Sequence, residues 1–285
     1  MSNSPVGRQT RMSTALLART IITVLLVIGA IICLYPLFYT FVTALKSEKE
    51  FAINPFSLPL SPTLGNFAVE FVRFNILRLA LNSVMATAGG VVLCTIVSFM
   101  VAYAVTKIRF RAGNLVFAFL VGTLVIPFPT VMVPAYLTLL DLHLVGKYYG
   151  LILLWTAYGL PLGVYLLSAY LRGIPDEIGD ATKIDGANHW RTMWEVMAPI
   201  ARPGVAALAI INAVWMWNDL LSPLLVMPDV LHTTLMVAVA SQRNNIEVNI
   251  PIISAGLSLA TIPVLLVYLV FQRFLIKGMT EGAVK

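Results

Sequence analysis

Charge is what this sequence has least of. Asp, Glu, Lys and Arg make up 11% of its 285 residues, against 59% hydrophobic ones. Soluble domains carry about a quarter charged residues, so a water-covered fold is excluded and a handful of membrane-spanning helices with short loops is expected. Cysteine is almost absent. Cys33 and Cys94 sit in apolar runs without CxxC or metal-ligand spacing, and read as lipid- or core-buried thiols. No GxxxxGK occurs, so a nucleotide-binding loop is missing, and no HExxH or GxSxG suggests a membrane-embedded enzyme. His143, His189 and His232 have no second ligand beside them in sequence, and no metal is expected. The net charge of +6 comes without the aromatic-plus-basic stripe of a nucleic-acid binder.

What is present is length without charge. A spanning helix needs about 20 mostly apolar residues. Stretches free of Asp, Glu, Lys and Arg run over 20–45, 79–106, 112–140, 148–171 and 248–272, and a sixth over 203–228 is broken by Asp219 alone. The third contains Pro127, Pro129 and Pro134, tolerable where neighbouring helices re-satisfy the backbone. The fold class expected is therefore all-α, integral to the membrane, with six transmembrane helices. Placing both termini in the cytoplasm puts thirteen of the nineteen basic residues inside, including Lys107, Arg109 and Arg111 of the turn TKIRFRAG; Lys46, Lys49, Arg73, Arg78, Lys147 and Arg243 fall outside. That bias supports the orientation. The first apolar run exceeds the roughly 7–15 residues of a signal-peptide core, and reads as an uncleaved helix. The expected division is a tail, first helix and long outer loop over 1–77, a core over 78–273, and a cytoplasmic tail over 274–285.

One cytoplasmic segment, 173–202, interrupts the oil. PDEIGDATKIDGANHWRTMWEVMAP carries Asp176, Glu177, Asp180, Lys183, Asp185, Arg191 and Glu195. Pro175 suits a first helical turn, and Asp176 and Glu177 complement the helix dipole. A helix to Ile184 is expected, then a turn at Asp185-Gly186. Beyond it Trp190, Met193, Trp194 and Met197 recur at helical spacing. Such a stripe could lie on lipid headgroups. The acidic first helix would be repelled by anionic lipid and points instead to a basic protein partner.

The same segment resembles the cytoplasmic signature of ABC importer permeases: Glu-Ala-Ala, three residues, Gly, nine residues, Ile, one residue, Leu-Pro. Here Asp180-Ala181-Thr182, Gly186, Val196 and Ala198-Pro199 stand at each matching position, with Asp for Glu, Thr for Ala, Val for Ile and Ala for Leu. The longer pattern P-x-E-I-x-x-A-x-x-I-D-G-A is met from Pro175 through Glu177, Asp185 and Ala187. WMWNDLLSPLL and the tail pattern Gly278, Thr280, Gly282, Ala283, Lys285 are similar to the carbohydrate-type permeases on the maltose pattern. LNSV after Arg78 is similar to the start of their core.

The resemblance implies a non-enzymatic permease subunit of a binding-protein-dependent importer, in the plasma membrane of a bacterium or archaeon. It implies alternating access, a coupling helix around Asp180, and no cofactor on this chain. ATP and Mg belong to two separate ATPase subunits. A second permease subunit and an extracytoplasmic solute-binding protein complete the set of partners. The solute class implied is carbohydrate: an oligosaccharide, disaccharide, polyol or glycerol phosphate. An ion-coupled secondary transporter is the alternative, but it usually keeps several intramembrane ionisable groups, and Asp219 is the one acid inside a span. Asp219, Asn218, Trp215 and Trp217 are candidates to meet a polyol; equally, Asp219 could end its helix and pair locally while the tryptophans sit in the interfacial belt. Asn82 and Ser83 are weaker candidates, suited also to capping or inter-helix hydrogen bonds.

Overall fold

The computed structural model describes residues 6–108, 110–229, 232–242 and 249–283, with the side chains of 18–108, 110–229, 232–242 and 249–270. Every described element is helical, and no strand occurs among the described residues. The helices are α1 (Val6–Ala44), α2 (Glu48–Ile53), α3 (Gly65–Val72), α4 (Ile76–Lys107), α5 (Gly113–Gly122), α6 (Phe128–Asp141), α7 (Tyr148–Arg172), α8 (Asp176–Ile184), α9 (His189–Ile200), α10 (Arg202–Asn218), α11 (Leu221–Val226), α12 (Leu235–Ser241) and α13 (Ile250–Ala283).

Four of these are long and apolar enough to cross a bilayer: the 18–44 part of α1, α4, α7, and α13 as far as Val270. Two further stretches are bent. The run Gly113–Val125 meets Phe128–Asp141 at 109°, and His189–Ile200 meets Arg202–Asn218 at 78°, so the number reaches six when each bent pair is taken as one span. The first break falls at Ile126-Pro127, where proline forces its predecessor out of the helical region; Ile126 has φ −81° and ψ 116°. The expected run over 203–228 is divided too. α10 stops at Asn218, and Asp219 takes an extended conformation before α11 begins.

Two compact units form, residues 1–70 with 247–258, and residues 71–246 with 259–285. In the first, the side chains of α1 from Ala18 to Pro36 are all exposed, as a lipid-facing helix requires. The loop after it is folded rather than loose. Lys46 is fully buried, and its ammonium donates to the carbonyl oxygens of Asn54 (3.2 Å) and Pro55 (2.8 Å). A buried cation needs such compensation. Asn66 donates to the carbonyls of Ala44 and Lys46 at 2.8 and 2.7 Å, and Glu48 accepts from Asn249 at 2.8 Å.

The second unit is built on α4, α7 and α10. Small residues let the helices approach closely, the usual solution where lipid removes the hydrophobic drive between helices. A Cβ on Gly163 of α7 would stand 2.2 Å from the Ser98 hydroxyl of α4, and one on Gly90 would stand 2.8 Å from the Met216 sulfur of α10. Two apolar clusters flank this contact. Trp155, Leu151, Cys94 and Met216 form one; Phe99, Tyr103, Leu167, Leu171, Met193 and Met197 form the other. The described stretch 232–242 packs down on α4 rather than floating. Asn82 donates to the Thr233 carbonyl at 3.3 Å, and the Ser83 hydroxyl accepts from Leu235 N–H at 2.7 Å. The rest of the expected loop over 229–247, at 230–231 and 243–247, lies outside the described residues.

The Ser98–Gly163 contact leaves no room for a side chain. Gly163→Val is expected to lower the thermal unfolding midpoint of the detergent-solubilised protein, through overpacking of about 1–3 kcal/mol. Adding Ser98→Gly to it should recover part of the loss; no change in the single variant would show that the helices do not meet there.

Candidate functional site

The charged segment folds as helix, turn, helix. Pro175 sits at the N-cap of α8 with extended backbone, one position before the first turn where the sequence suggests it. The far end of α8 closes with two backbone bonds, Gly186 N–H to the Lys183 carbonyl (3.0 Å) and Ala187 N–H to the Thr182 carbonyl (2.9 Å). This is the Schellman arrangement, which demands a left-handed residue past the cap. Gly186 supplies it with φ +77°, a backbone that only glycine adopts freely. Glu177, Asp180, Ala181, Ile184 and Asp185 stand exposed, so α8 shows an acidic face with Ile184 at its tip. The Asp180–Lys183 pair at 2.9 Å is exposed on both sides, and contributes little to stability.

Thr182 is one of the four departures from the signature that the segment resembles, and it has a use here. Its hydroxyl lies 2.8 Å from that of Thr192 in α9 and donates to the Gly179 carbonyl. The two helices of the segment are thereby pinned to each other. Asn188 caps α9, its side-chain oxygen accepting from Arg191 N–H at 2.8 Å. The middle of α9, Thr192–Met197, is wound as π-helix. Bonding from i to i+5 slows the rotation of side chains round the axis, so the expected stripe splits. Met193 and Met197 are buried, Trp194 packs on Phe99 with centroids 5.7 Å apart, and Trp190 is 60% exposed. Glu195 holds Arg191 at 2.7 Å and raises its pKa by hydrogen bond and charge. Pro199 lies in the last turn of α9, just before the 78° bend into α10.

A tie not visible in the sequence joins this segment to α4. Lys107, with a side chain 8% exposed, reaches the Asp176 carboxylate and the Ile174 carbonyl, each at 2.7 Å. Nearby the Tyr103 hydroxyl lies 3.4 Å from His189 Nδ1. Together with Gly179, Asp180 and Lys183 they line a cleft of about 210 Å³. The charged segment is thus continuous with α7 and α10 by covalent chain, and bolted to α4 by an ion pair.

The five substrate-path candidates do not converge. Asp219 accepts from the indole N–H of the fully buried Trp155 at 2.7 Å, and its other oxygen accepts from Leu221 and Ser222 N–H at 3.1 and 3.4 Å. Its carboxylate ends α10 and starts α11, which is the local pairing the sequence left open. Trp217 is buried and donates to the Ala260 carbonyl at 3.0 Å. Asn218 donates to the Val214 carbonyl one turn back at 2.7 Å. Asn82 is buried under the outer stretch. Trp215 alone lines a large cavity, about 610 Å³, beside the α5–α6 break.

Sequence reading missed Tyr158, Phe128 and Asn212 on the same cavity wall, because each looks like an ordinary membrane-helix residue. Of the tail pattern, Gly278, Thr280, Gly282 and Ala283 lie in the last turns of α13; their side chains, and Lys285 entirely, lie outside the described residues. His232 sits between Arg78 (3.2 Å) and Asp229 (2.5 Å), one ring nitrogen facing each. Among the described residues no group of three His, Cys, Asp or Glu side chains gathers as a metal site would need.

Residues 14–281 match the family described as binding-protein-dependent transport system inner membrane component. The diacetylchitobiose uptake system permease protein NgcG of Streptomyces coelicolor is 31% identical over 260 residues, covering 90% of this chain and 86% of that protein. The arabinooligosaccharides transport system permease protein AraQ of Halalkalibacterium halodurans is 32% identical over 273 residues, 93% and 97% of the two chains. A solved chain from a bacterial ABC transporter that imports the acidic polysaccharide alginate shares the fold, with TM-score 0.73 and 22% identity over 96% of this chain and 99% of that one. With several helices long and apolar enough to cross a bilayer, this chain is a multi-pass membrane protein and belongs to the family of binding-protein-dependent transport system inner membrane components.

Proposed function

We propose that this chain is one permease half of an ATP-driven, binding-protein-dependent carbohydrate importer in the plasma membrane of a bacterium or archaeon. The observation that carries this reading is the geometry of α8: an exposed acidic helix, closed by a left-handed glycine, tied at its start to α4 by Lys107–Asp176 and near its end to α9 by Thr182–Thr192. A surface helix with no partner has no need of such a frame. The carbohydrate class is supported by the solutes that the relatives are named for, diacetylchitobiose and arabinooligosaccharides. The ion-coupled alternative loses its one intramembrane acid, since both oxygens of Asp219 are engaged by Trp155 and by backbone N–H groups.

In this reading the partners are a second permease subunit, two ATPase subunits that hold ATP and Mg, and an external solute-binding protein. The chain makes six crossings with both ends in the cytoplasm. α8 seats in an ATPase subunit, and closure of the ATPase pair draws it inward. The motion passes as a rigid-body displacement through three routes: up α7, through the bend into α10, and across Lys107–Asp176 into α4. The apolar contact of Met193, Met197 and Trp194 with Phe99 and Leu171 keeps the joint stiff.

The test is ATP-dependent uptake of diacetylchitobiose, arabinotriose and raffinose by the complete transporter in proteoliposomes. Gly186→Pro and Asp180→Lys are each expected to lower uptake about tenfold or more while the subunit still inserts, within the 5–150-fold range of typical coupling. Normal uptake in both would remove the docking role. Lys107→Met is expected to cut solute moved per ATP hydrolysed by about fivefold, with ATP hydrolysis retained and Lys107→Arg restoring much of it; an unchanged ratio would mean that α4 follows without the tie. Ala181→Cys, in a Cys33→Ser background, should react with a membrane-impermeant thiol reagent only from the cytoplasmic side. Reaction from the external side would invert the topology and end the reading.

A further inference from the structure

The loop after α1 is built inside out. Lys46 and Glu70 are fully buried, while Ile53, Phe56, Leu58, Leu60 and Leu64 are 64–88% exposed. A water-covered surface does the reverse, keeping Lys and Glu outside and large apolar side chains within. From Phe51 to Val69 the chain has no Asp, Glu, Lys or Arg, nineteen residues in a row. Pro55, Pro59 and Pro62 interrupt that run. Helix stops at Ile53 and resumes at Gly65, so the run does not span.

The polar groups of the loop are turned inward. The Lys46 ammonium holds the Asn54 and Pro55 carbonyls. The Asn54 side-chain oxygen accepts from Phe56 N–H at 3.2 Å, and the Ser57 hydroxyl donates to the Asn54 carbonyl at 3.2 Å. The Glu50 carboxylate accepts from Leu60 N–H. Thr63 N–H reaches back to the Leu45 carbonyl at 2.9 Å. Irregular backbone satisfied from within is what an apolar neighbour demands.

The same loop is pressed against the flank of α1. Phe56 packs on Tyr39 with ring centroids 5.8 Å apart, and Tyr39 on Tyr35 at 6.2 Å. The apolar part of α1, Ala18–Ala44, has 27 residues. It is about 40 Å long, against a hydrocarbon core of about 30 Å, which leaves about 5 Å among headgroups at each end. Tyr39, five residues before Ala44, lies about 7.5 Å inside that end. This is the boundary level at which tyrosines gather. Phe56 brings the loop down to it, and the exposed apolar residues around Phe56 continue the exposed flank of α1.

We propose that the stretch 53–64 is an interfacial anchor, laid in the headgroup–acyl boundary of the leaflet at the C-terminal end of α1, with Ile53, Phe56, Leu58, Leu60 and Leu64 inserted among phospholipids. The inference needs only that α1 crosses the bilayer, and so stands apart from the importer reading. Lipid is favoured over a protein neighbour on two grounds. A protein-binding patch is rimmed with polar side chains, and 51–69 has no charge to rim one. The patch is also continuous, through Phe56 and Tyr39, with a helix whose side chains from Ala18 to Pro36 are all exposed. Segments of this kind bury their apolar face about 5–10 Å into the boundary, the depth at which Tyr39 sits.

The experiment places the photoreactive residue p-benzoylphenylalanine at Leu60, at Phe56 and, as a control, at Asp185 of the charged segment. The complete transporter is reconstituted in vesicles of phosphatidylethanolamine and phosphatidylglycerol, irradiated, and this chain is weighed by mass spectrometry. The chain is expected to gain the mass of one phospholipid when the probe is at Leu60 or Phe56, and to show no such gain at Asp185. Phe56 keeps an aromatic ring, so it decides the matter should the Leu60 variant fail to assemble. Adducts to another protein chain in place of lipid would make the patch a protein interface and overturn the anchor. Absence of any adduct would place the loop in water and overturn it as well, as would equal phospholipid labelling at Asp185. Sugar uptake by the unmodified transporter is read separately, and each of these outcomes leaves the importer reading where it stands.

Discussion

The close approach of α4 and α7 through Ser98 and Gly163 conditions everything around it. In a bilayer, contact between helices has to come from shape, because lipid tails are as apolar as any side chain. With the two backbones held this near, Cys94, Gly159 and Asn212 fall into one buried group, and Gly90 leaves room for Met216 and Trp155. Toward the C-terminal ends of α4 and α7, Phe99, Tyr103, Leu167 and Leu171 then form a single platform, on which Met193 and Met197 of α9 rest. Widening the α4–α7 spacing would loosen the cavity above and the joint below together.

Around that contact, the chain uses its few polar groups where helices stop. Asp219 turns the chain between α10 and α11 and is held by the Trp155 indole. Lys46 gathers the carbonyls of the loop after α1. Lys107 ties the end of α4 to the start of α8. Each breaks the apolar pattern, and each satisfies backbone or charge at a place where regular helical bonding ends.

The helices were legible because length without charge is a strong signal, and the helix–turn–helix of the charged segment because glycine, proline and acids stood at informative spacings. The bends were less so. Pro127 announced the first, but nothing local distinguishes a proline kink from a 109° break. The division at Asp219 could be read either as a turn or as a solute contact, and only the position of Trp155, far away in sequence, decides it. The tie from Lys107 was hidden because a lysine at a helix end serves orientation as readily as pairing. Tyr158 and Asn212 were hidden because an aromatic and an amide in separate spans have no shared pattern until the helices pack. The stripe from Trp190 to Met197 was read with the α-helical repeat, and the π-wound turns moved Trp190 off the buried face.

The frame of α8 is made of backbone and of buried side chains. The extended Pro175, the left-handed Gly186, the Thr182–Thr192 contact and the Lys107 anchor all lie on its edges or underside. None of them involves the outward residues Glu177, Asp180, Ala181 and Ile184. The lettering on that outer face can therefore be rewritten without disturbing the bracket that carries it. A helix so mounted is a socket with an exchangeable plug: its four outward positions can change without reshaping the mount.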